Sequence, residues 1–160
     1  MHFDLRAQLK PGDLDAVLRF HRETYAIEFG FDPTFEAHVA KPLSAFGQST
    51  SPRERMWIAE SDARLVGCIA IVEADARAAQ LRWFLVAPEA RGAGLGRRLL
   101  EEAVGFSRSQ DYQRIFLWTV SVLHAAASLY QSFGFEIVRQ RPERLWGVDL
   151  VEQCYELKLT

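Results

Sequence analysis

The residues best suited to chemistry lie in one short segment, Leu85 to Leu99. It contains three glycines in alternate positions: Gly92, Gly94 and Gly96. It also contains three arginines and one glutamate: Arg91, Arg97, Arg98 and Glu89. An apolar strand pattern ends before these residues and a helical pattern follows, so the glycines stand at a helix start. Free amides and the helix dipole there attract anions, and glycine permits close approach. The segment predicts a phosphate or pyrophosphate site.

The spacing of these glycines excludes two common nucleotide motifs. The pattern Gly-x-Gly-x-x-Gly needs a third glycine, but Arg97 occupies that position counted from Gly92, and Leu99 occupies it from Gly94. A P-loop needs Gly-Lys-Ser/Thr, whereas Gly96 is followed by two arginines. Because short glycine motifs are weak signals, the alternative is a helix start whose glycines only allow tight packing on a strand.

A second segment, Leu123 to Phe135, combines small residues with one tyrosine. Three consecutive alanines, Ala125 to Ala127, would let a ligand or a strand pack closely against a helix that also carries Tyr130. Taken alone, the segment favours Tyr130 as a core residue with a satisfied hydroxyl.

The elements that must position these segments follow from hydrophobic periodicity. The predicted strands are Phe3–Leu9, Met56–Ala59, Leu65–Val72, Leu81–Val86, Ile115–Val120, Phe135–Val138 and Val151–Leu159. The predicted helices are Asp13–Tyr25 capped by Asp13, Phe35–Phe46, Gly94–Ser107 and Leu123–Phe133, which Gly134 ends. This β-α-α-β-β-β-α-β-α-β-β order predicts one α/β domain over residues 1–160, with a mixed sheet and helices on both faces.

Together the two segments resemble the GNAT N-acetyltransferase superfamily. The resemblance is carried by Arg91-x-x-Gly94-x-Gly96 and, further along, by Leu129-Tyr130-x-x-x-Gly134-Phe135. It extends over nearly the whole chain and implies the acyl-CoA N-acyltransferase fold, whose central sheet is mixed and mostly antiparallel.

A narrower resemblance involves three stretches. Phe84 to Gly96, Leu117 to Thr119 and Asp149 to Leu157 are similar to the acetyltransferase half found fused to MarR-type regulators.

The resemblance implies acetyl-CoA as co-substrate and no metal. The implied cofactor-binding residues are Leu85, Val86, Arg91, Gly92, Ala93, Gly94, Leu95, Gly96, Arg97 and Ala126. Backbone groups of Leu85 and Val86 would pair with the pantetheine arm, and the amides of 92–97 would cradle the pyrophosphate. Arg91 stands where the family has Gln or Arg, and Ala126 would lie beneath the pantetheine end.

The same resemblance implies that Tyr130 protonates the departing CoA sulfur. Many members carry Asn seven residues before this tyrosine, and this chain has Leu123 there. The departure affects one cofactor hydrogen bond and leaves the pyrophosphate cradle untouched.

The sequence identifies neither the acceptor nor the general base. Four residues are candidates for the base, and none is assigned because each is more often a solvated or satisfied polar group: His21, Glu23, Glu28 and Glu73. Residues 20–50 and 139–150 are expected to wall the acceptor site. These stretches carry both charge signs and several aromatic residues: Phe29, Phe31, Phe35, Phe46 and Trp146. A small-molecule amine is expected, rather than a protein terminus.

Composition and charge exclude several classes of protein and of binding partner. The chain has 160 residues, 49% hydrophobic and 25% charged, which excludes a disordered, collagen-like or coiled-coil protein. The net charge of −2 supplies no basic face for nucleic acid. Apolar runs such as Val66–Val72 are too short for a membrane span, and no signal-peptide pattern is seen, so a cytoplasmic location is expected. Cys68 and Cys154 are expected to be small buried residues, not metal ligands.

The sequence is compatible with three functions. The first is an N-acetyltransferase, and the second is a CoA-binding sensor or regulatory module without turnover. Retained Tyr130 argues against the sensor, and Leu123 argues weakly for it. The third is a structural domain without a ligand. A homodimer is possible, as in many relatives.

Overall fold

The computed structural model describes residues 1–160 as seven strands, four α-helices and one short 3₁₀ turn. In chain order they are β1 (Asp4–Arg6), α1 (Asp13–Phe29), α2 (Thr34–Gln48), β2 (Arg55–Ser61), β3 (Arg64–Glu73), β4 (Ala78–Val86), the 3₁₀ turn (Pro88–Ala90), α3 (Leu95–Ser109), β5 (Arg114–Val120), α4 (His124–Ser132), β6 (Glu136–Leu145) and β7 (Val148–Lys158). The order predicted from the sequence is confirmed, and the differences lie in the ends of the elements.

The strands form one sheet in the order β1-β2-β3-β4-β5-β7-β6. Every neighbouring pair is antiparallel except β4 and β5, which are parallel. These two strands pair only where Ala78–Gln80 meets Arg114–Phe116. Beyond that point they separate, so the backbone edges from Leu81 to Val86 and from Leu117 to Val120 do not pair with each other. The sheet therefore opens into a fork between β4 and β5.

Helices cover both faces of the sheet. On one face α3 packs with Leu95 and Leu99 fully buried, together with Tyr130 of α4. A Cβ atom on Gly67 of β3 would lie 2.9 Å from the Leu95 side chain, so glycine is needed for this close approach. The other face is covered by α1 and α2 through Val17, among others. The predicted mixed, mostly antiparallel sheet with helices on both faces is confirmed.

A β-bulge in β4 changes which side chains face α1 and α2. Ala70 of β3 pairs with Arg82, and Cys68 pairs with Leu85, so two residues of β4 oppose one of β3. Trp83 lies in the bulge at φ 51°, and the Cys68 thiol donates to its carbonyl at 3.1 Å. Because Ala70 and Cys68 lie on one face, Arg82 and Leu85 share that face despite their odd spacing.

Both cysteines are buried and free. The expectation that Cys68 and Cys154 are small buried side chains is confirmed.

The predicted helix cap at Asp13 is wrong. Gly12, at φ 88°, precedes α1, and Asp13 is the first helical residue. Its carboxylate instead accepts hydrogen bonds from the Arg6 guanidinium, at 2.6 and 2.7 Å, and from the Lys10 amide. The Arg6 hydrogen bond holds the pKa of Asp13 below its ordinary value. The residue ties α1 to β1.

The last two strands form a long hairpin. Trp146 and Gly147 connect them with φ values of 53° and 80°, as expected for a type I′ turn. The structure extends the predicted strand Phe135–Val138 to Leu145, so residues 139–150 are a hairpin rather than a loop.

Candidate active site

A cavity of about 390 Å³ lies on one side of the fork, between the ends of α1 and β4 and the starts of α3 and α4. We call it the amide cavity. Eight of the predicted cofactor-binding residues line it: Leu85, Val86, Arg91, Gly92, Gly94, Leu95, Gly96 and Ala126. Ala93 and Arg97 do not. The Arg97 guanidinium lies instead 3.4 Å from the Ser132 hydroxyl and 5.4 Å from the centre of the Phe133 ring.

The mouth of the amide cavity carries a run of unused hydrogen-bond donors. No backbone amide from Gly92 to Arg97 donates to any acceptor in the protein, and the first helical bond runs from the Arg98 amide to the Gly94 carbonyl. Gly92 and Gly94 have φ values of 81° and 83°, a region that L side chains rarely adopt. Such consecutive free amides at a helix start bind an anion.

Gly96 is needed for a different reason. A Cβ atom there would lie 3.3 Å from the Leu129 side chain and 3.6 Å from Phe84, closer than most such contacts. The glycine brings the first turn of α3 against both β4 and α4, at the wall of the cavity.

Arg91 is not a free cation. Its guanidinium donates to both carboxylate oxygens of Glu28 at 2.7 and 2.6 Å, and its Nε donates to the Val86 carbonyl at 3.3 Å. The Glu28 hydrogen bond raises the pKa of Arg91. The net positive charge at the segment is therefore smaller than its own residues indicate, because Glu28 of α1 pairs with Arg91. Glu89, the acidic residue of the segment, pairs with Arg64 at 3.2 Å.

A second cavity, of about 430 Å³, lies on the other side of the fork among α1, α2, β4, β5 and the hairpin. We call it the aromatic cavity. Four residues line both cavities and mark where they meet: Tyr25, Phe84, Leu123 and Ala126. The two cavities therefore adjoin each other at these residues, and together we call them the groove.

Several aromatic residues expected to wall the acceptor site border the groove. Phe31 and Phe35 line the aromatic cavity, and each ring lies 4.9 Å from the Trp146 ring. Phe29 lines the amide cavity instead. Phe46 lines neither and packs on Trp83, with ring centres 5.6 Å apart.

Tyr130 lies in α4 and lines the aromatic cavity next to the junction. The residue is 4% exposed, and its ring packs against Phe84, Phe135 and Tyr155. Its hydroxyl has no hydrogen-bond partner in the protein, and the hydroxyl oxygen is not fully buried. Burial raises the pKa of Tyr130 above its ordinary value, so the hydroxyl stays protonated. It is a hydrogen-bond donor without an acceptor.

Ala126 and Tyr130, four residues apart, lie on one face of α4, and Gly134 lies beyond the end of this helix. The helix ends at Ser132, and Gly134 follows it at φ 94°. The Phe135 amide donates to the Tyr130 carbonyl, which completes a glycine-type helix end.

The structure separates the four candidates for a general base. Only His21 lines the aromatic cavity. Glu28 is held by Arg91, and Glu73 is held by Arg53 at 2.9 Å. Glu23 is largely exposed beside Arg22.

His21 is buried and neutral. Its Nδ1 lies 2.9 Å from the Val17 carbonyl, which can only accept, so Nδ1 carries the hydrogen. Nε2 is then an acceptor, and it is buried without a partner. Burial lowers the pKa of His21 to about 4.

Two site residues were not anticipated from the sequence. Tyr25, which the sequence indicates only as the end of the first helix, lines both cavities. Arg82, in β4, lines the aromatic cavity. A charged residue inside an otherwise apolar strand was the available signal for Arg82.

Comparison with known proteins agrees with this geometry. The family model described as "Acetyltransferase (GNAT) family" matches residues 15–135. An uncharacterized N-acetyltransferase of Schizosaccharomyces pombe is 32% identical over 131 residues, covering 79% of this chain and 78% of the relative. An uncharacterized N-acetyltransferase of Escherichia coli is 32% identical over 131 residues, covering 78% and 77%.

A solved structure shares the fold. A Salmonella typhimurium protein, solved with its cofactor acetyl-CoA, superposes with a TM-score of 0.73 at 17% identity, covering 99% of this chain and 94% of that one. The forked sheet, the free amides at the start of α3 and these matches define an acetyltransferase fold. The chain belongs to the GNAT family of acetyltransferases.

No helix is both long enough and apolar enough to cross a membrane. No cluster of three or more His, Cys, Asp or Glu side chains is arranged to hold a metal ion.

Proposed function

We propose that this protein is an N-acetyltransferase that uses acetyl-CoA and transfers the acetyl group directly to the amine of a small molecule. The observation that carries the proposal is the run of free amides from Gly92 to Arg97. It lies at the amide cavity, which adjoins the aromatic cavity at the fork between β4 and β5. One groove can thus hold a phosphate-bearing donor at one end and an acceptor at the other.

The residues of the amide cavity fit acetyl-CoA. The free amides at the start of α3 suit a pyrophosphate. The unpaired edge of β4 near Leu85 and Val86 offers backbone groups to the amides of a pantetheine arm, as an added strand would. Ala126, at the junction, leaves room for the thioester end. Leu123 also lies at the junction and offers only an apolar contact there.

Acetyl transfer needs a neutral amine, a donor to the carbonyl oxygen and a proton for the departing sulfur. The thioester supplies the acetyl group. A backbone amide at the end of β4 is suited to stabilise the negative charge that develops on the carbonyl oxygen. Tyr130 is suited to give its proton to the sulfur as the carbon–sulfur bond breaks. The amine attacks in its neutral form, its nitrogen releases a proton to solvent as the carbon–nitrogen bond forms, and Tyr130 regains its proton from solvent.

The alternative is a CoA-binding sensor without turnover. It is favoured only by Leu123, which replaces an asparagine that many relatives carry. Incubation with acetyl-CoA and a panel of amines distinguishes the two functions, because a sensor would bind CoA and release no thiol. The narrower similarity to the acetyltransferase half of MarR-type regulators stays a prediction from sequence.

We expect CoA to raise the melting temperature of the protein by roughly 5–10 °C. A ligand at about 100 times its Kd stabilises a fold by about 2.7 kcal/mol, and each kcal/mol shifts Tm by roughly 2–4 °C at this chain length. Differential scanning fluorimetry measures the shift, with adenosine, which lacks the pyrophosphate, as the control ligand. A melting temperature that CoA leaves unchanged would contradict both the enzyme and the sensor.

We expect Glu28→Gln to strengthen CoA binding by about threefold. The substitution removes a negative charge beside the phosphate site and releases the Arg91 guanidinium, and exposed pairs of this kind are worth at most about 1 kcal/mol. Isothermal titration calorimetry at two salt concentrations measures the effect, which should shrink as salt rises.

The matched control for Glu28→Gln is Glu23→Gln. It makes the same charge change on the same helix, outside both cavities. Weaker binding by Glu28→Gln would mean that the ion pair organises the loop rather than competing with the ligand.

A further inference from the structure

Arg82 is a half-buried cation without a partner. It lines the aromatic cavity, and it forms no ion pair and no hydrogen bond within the protein. Its guanidinium lies 5.2 Å from the centre of the Trp83 ring, which can support the charge but cannot neutralise it. Burial lowers the pKa of Arg82, yet an arginine keeps its charge at any physiological pH. A half-buried positive charge without a partner favours the binding of an anion.

The remaining charges of the aromatic cavity do not supply that anion. Arg141 and Glu152 also line it, and they are paired with each other at 2.8 Å. No other aspartate or glutamate lines the cavity. The two histidines there are neutral, since burial lowers the pKa of both His21 and His38, and Arg82 adds to the effect on His38. One positive charge is left uncompensated.

The position of Arg82 relates this charge to the reacting centre. Arg82 precedes Phe84, which marks the junction of the two cavities, by two residues, or roughly 7 Å along β4. Arg82 pairs with Ala70 of β3, which packs on the α1 and α2 face, so Arg82 lies on the face where the aromatic cavity is. An anionic group of the acceptor could therefore contact Arg82 while its amine reaches the junction.

Apart from these charged residues and histidines, the cavity wall is mostly apolar and aromatic, with Gln80 and Thr119 as its other polar side chains. The rings of Phe31, Phe35 and Trp146 pack on one another at 4.9–5.4 Å and form a rigid surface on the α2 side. Such a surface favours contact with an apolar or aromatic side chain.

We propose that the acceptor is an amino acid with an apolar or aromatic side chain. Its carboxylate binds Arg82, its side chain contacts Phe31, Phe35 and Trp146, and its amine points to the junction of the cavities. This inference rests on the proposed acetyltransferase function and specifies its substrate class. A planar carboxylate matches the fork of a guanidinium, which would give two parallel hydrogen bonds.

The test compares phenylalanine with phenylalaninamide as acceptors of acetyl from acetyl-CoA. The two share the ring and the position of the amine, and they differ in the negative charge and in the basicity of the amine, so rates are compared per concentration of neutral amine. For the wild-type protein we expect kcat/KM to be about 10²-fold higher with phenylalanine, as for the loss of one partner from a charge-assisted pair. Arg82→Gln should bring the ratio close to one, and Arg82→Lys should keep part of it. Release of CoA thiol gives the rates.

Two controls separate selectivity from general damage. Arg139→Gln makes the same charge change on the exposed hairpin, outside the cavity, and should keep the wild-type ratio. Quenching of tryptophan fluorescence reports binding of phenylalanine without turnover, because Trp83, Trp118 and Trp146 all line the cavity. The melting temperature of each Arg82 variant shows whether it folds.

The outcomes distinguish this inference from the function on which it rests. Absence of transfer to any amine in a broad panel would overturn the acetyltransferase function itself. Transfer to other amines but to neither test compound, or equal transfer to both, would overturn only the amino-acid acceptor. A preference for phenylalanine that survives in Arg82→Gln would also overturn it.

Discussion

Gly94→Val should abolish binding of CoA, weakening the affinity by at least about 10²-fold, or about 2.7 kcal/mol. Gly94 lies at φ 83° at the start of α3, and a Cβ atom there meets no protein atom within 4 Å. The valine side chain would therefore occupy the open mouth of the amide cavity, where phosphate oxygens would accept the free amides. Titration calorimetry with CoA measures the loss.

The strain of this substitution needs its own control, which α1 provides. Gly12 precedes α1 at φ 88°, and its Cβ position is also free of protein atoms within 4 Å. Valine at either position costs on the order of 1–3 kcal/mol of backbone strain. Gly12→Val should thus lower stability by a similar amount and leave CoA affinity intact. Unchanged affinity in Gly94→Val would mean that the ligand binds elsewhere.

The free amides could be predicted from sequence because their chemistry is local. The strand end at Val86, the alternating glycines and the helical pattern after Gly94 are contiguous, and the first amides of a helix have no partner within the helix itself. The order of elements was also predictable from local sequence, because the hydrophobic periodicity of each segment indicates a helix or a strand. The error at Asp13 came from capping geometry, which depends on neighbouring elements, whereas Gly134 ends its helix as predicted.

The rest of the site depends on contacts between distant parts of the chain. Arg91 meets Glu28 across 63 positions, so the neutralisation of that arginine has no local signal. The fork requires knowing that β4 and β5 pair over only a few residues. The orientation of Arg82 depends on the bulge at Trp83, without which strict alternation places Arg82 and Leu85 on opposite faces.

Tyr130→Phe should lower kcat by about 10²-fold while barely changing stability or CoA affinity. The hydroxyl makes no hydrogen bond within the protein, so its removal breaks none, and the phenylalanine ring can keep its packing against Phe84, Phe135 and Tyr155. What the variant loses is a proton donor beside the junction where the thioester would end. Single-turnover and steady-state rates with a common acceptor measure the change.

Tyr155→Phe is the matched control. Tyr155 is 1% exposed, its ring lies 5.5 Å from that of Tyr130, and it lines neither cavity. The same atom is removed from the same core cluster, so an effect of packing alone would appear in both variants. We expect only Tyr130→Phe to lose kcat.

The pH profile distinguishes a proton donor from a residue that only shapes the pocket. Burial keeps the pKa of Tyr130 above its ordinary value of about 10, so the hydroxyl stays protonated across the range in which the amine titrates. The ratio of wild-type to Tyr130→Phe rates should therefore stay near 10² from about pH 7 to pH 9. A ratio that falls towards one as pH rises in this range would mean that Tyr130 is losing its proton. If the variant has the wild-type rate at every pH, Tyr130 is only a packing residue of the core, and water supplies the proton.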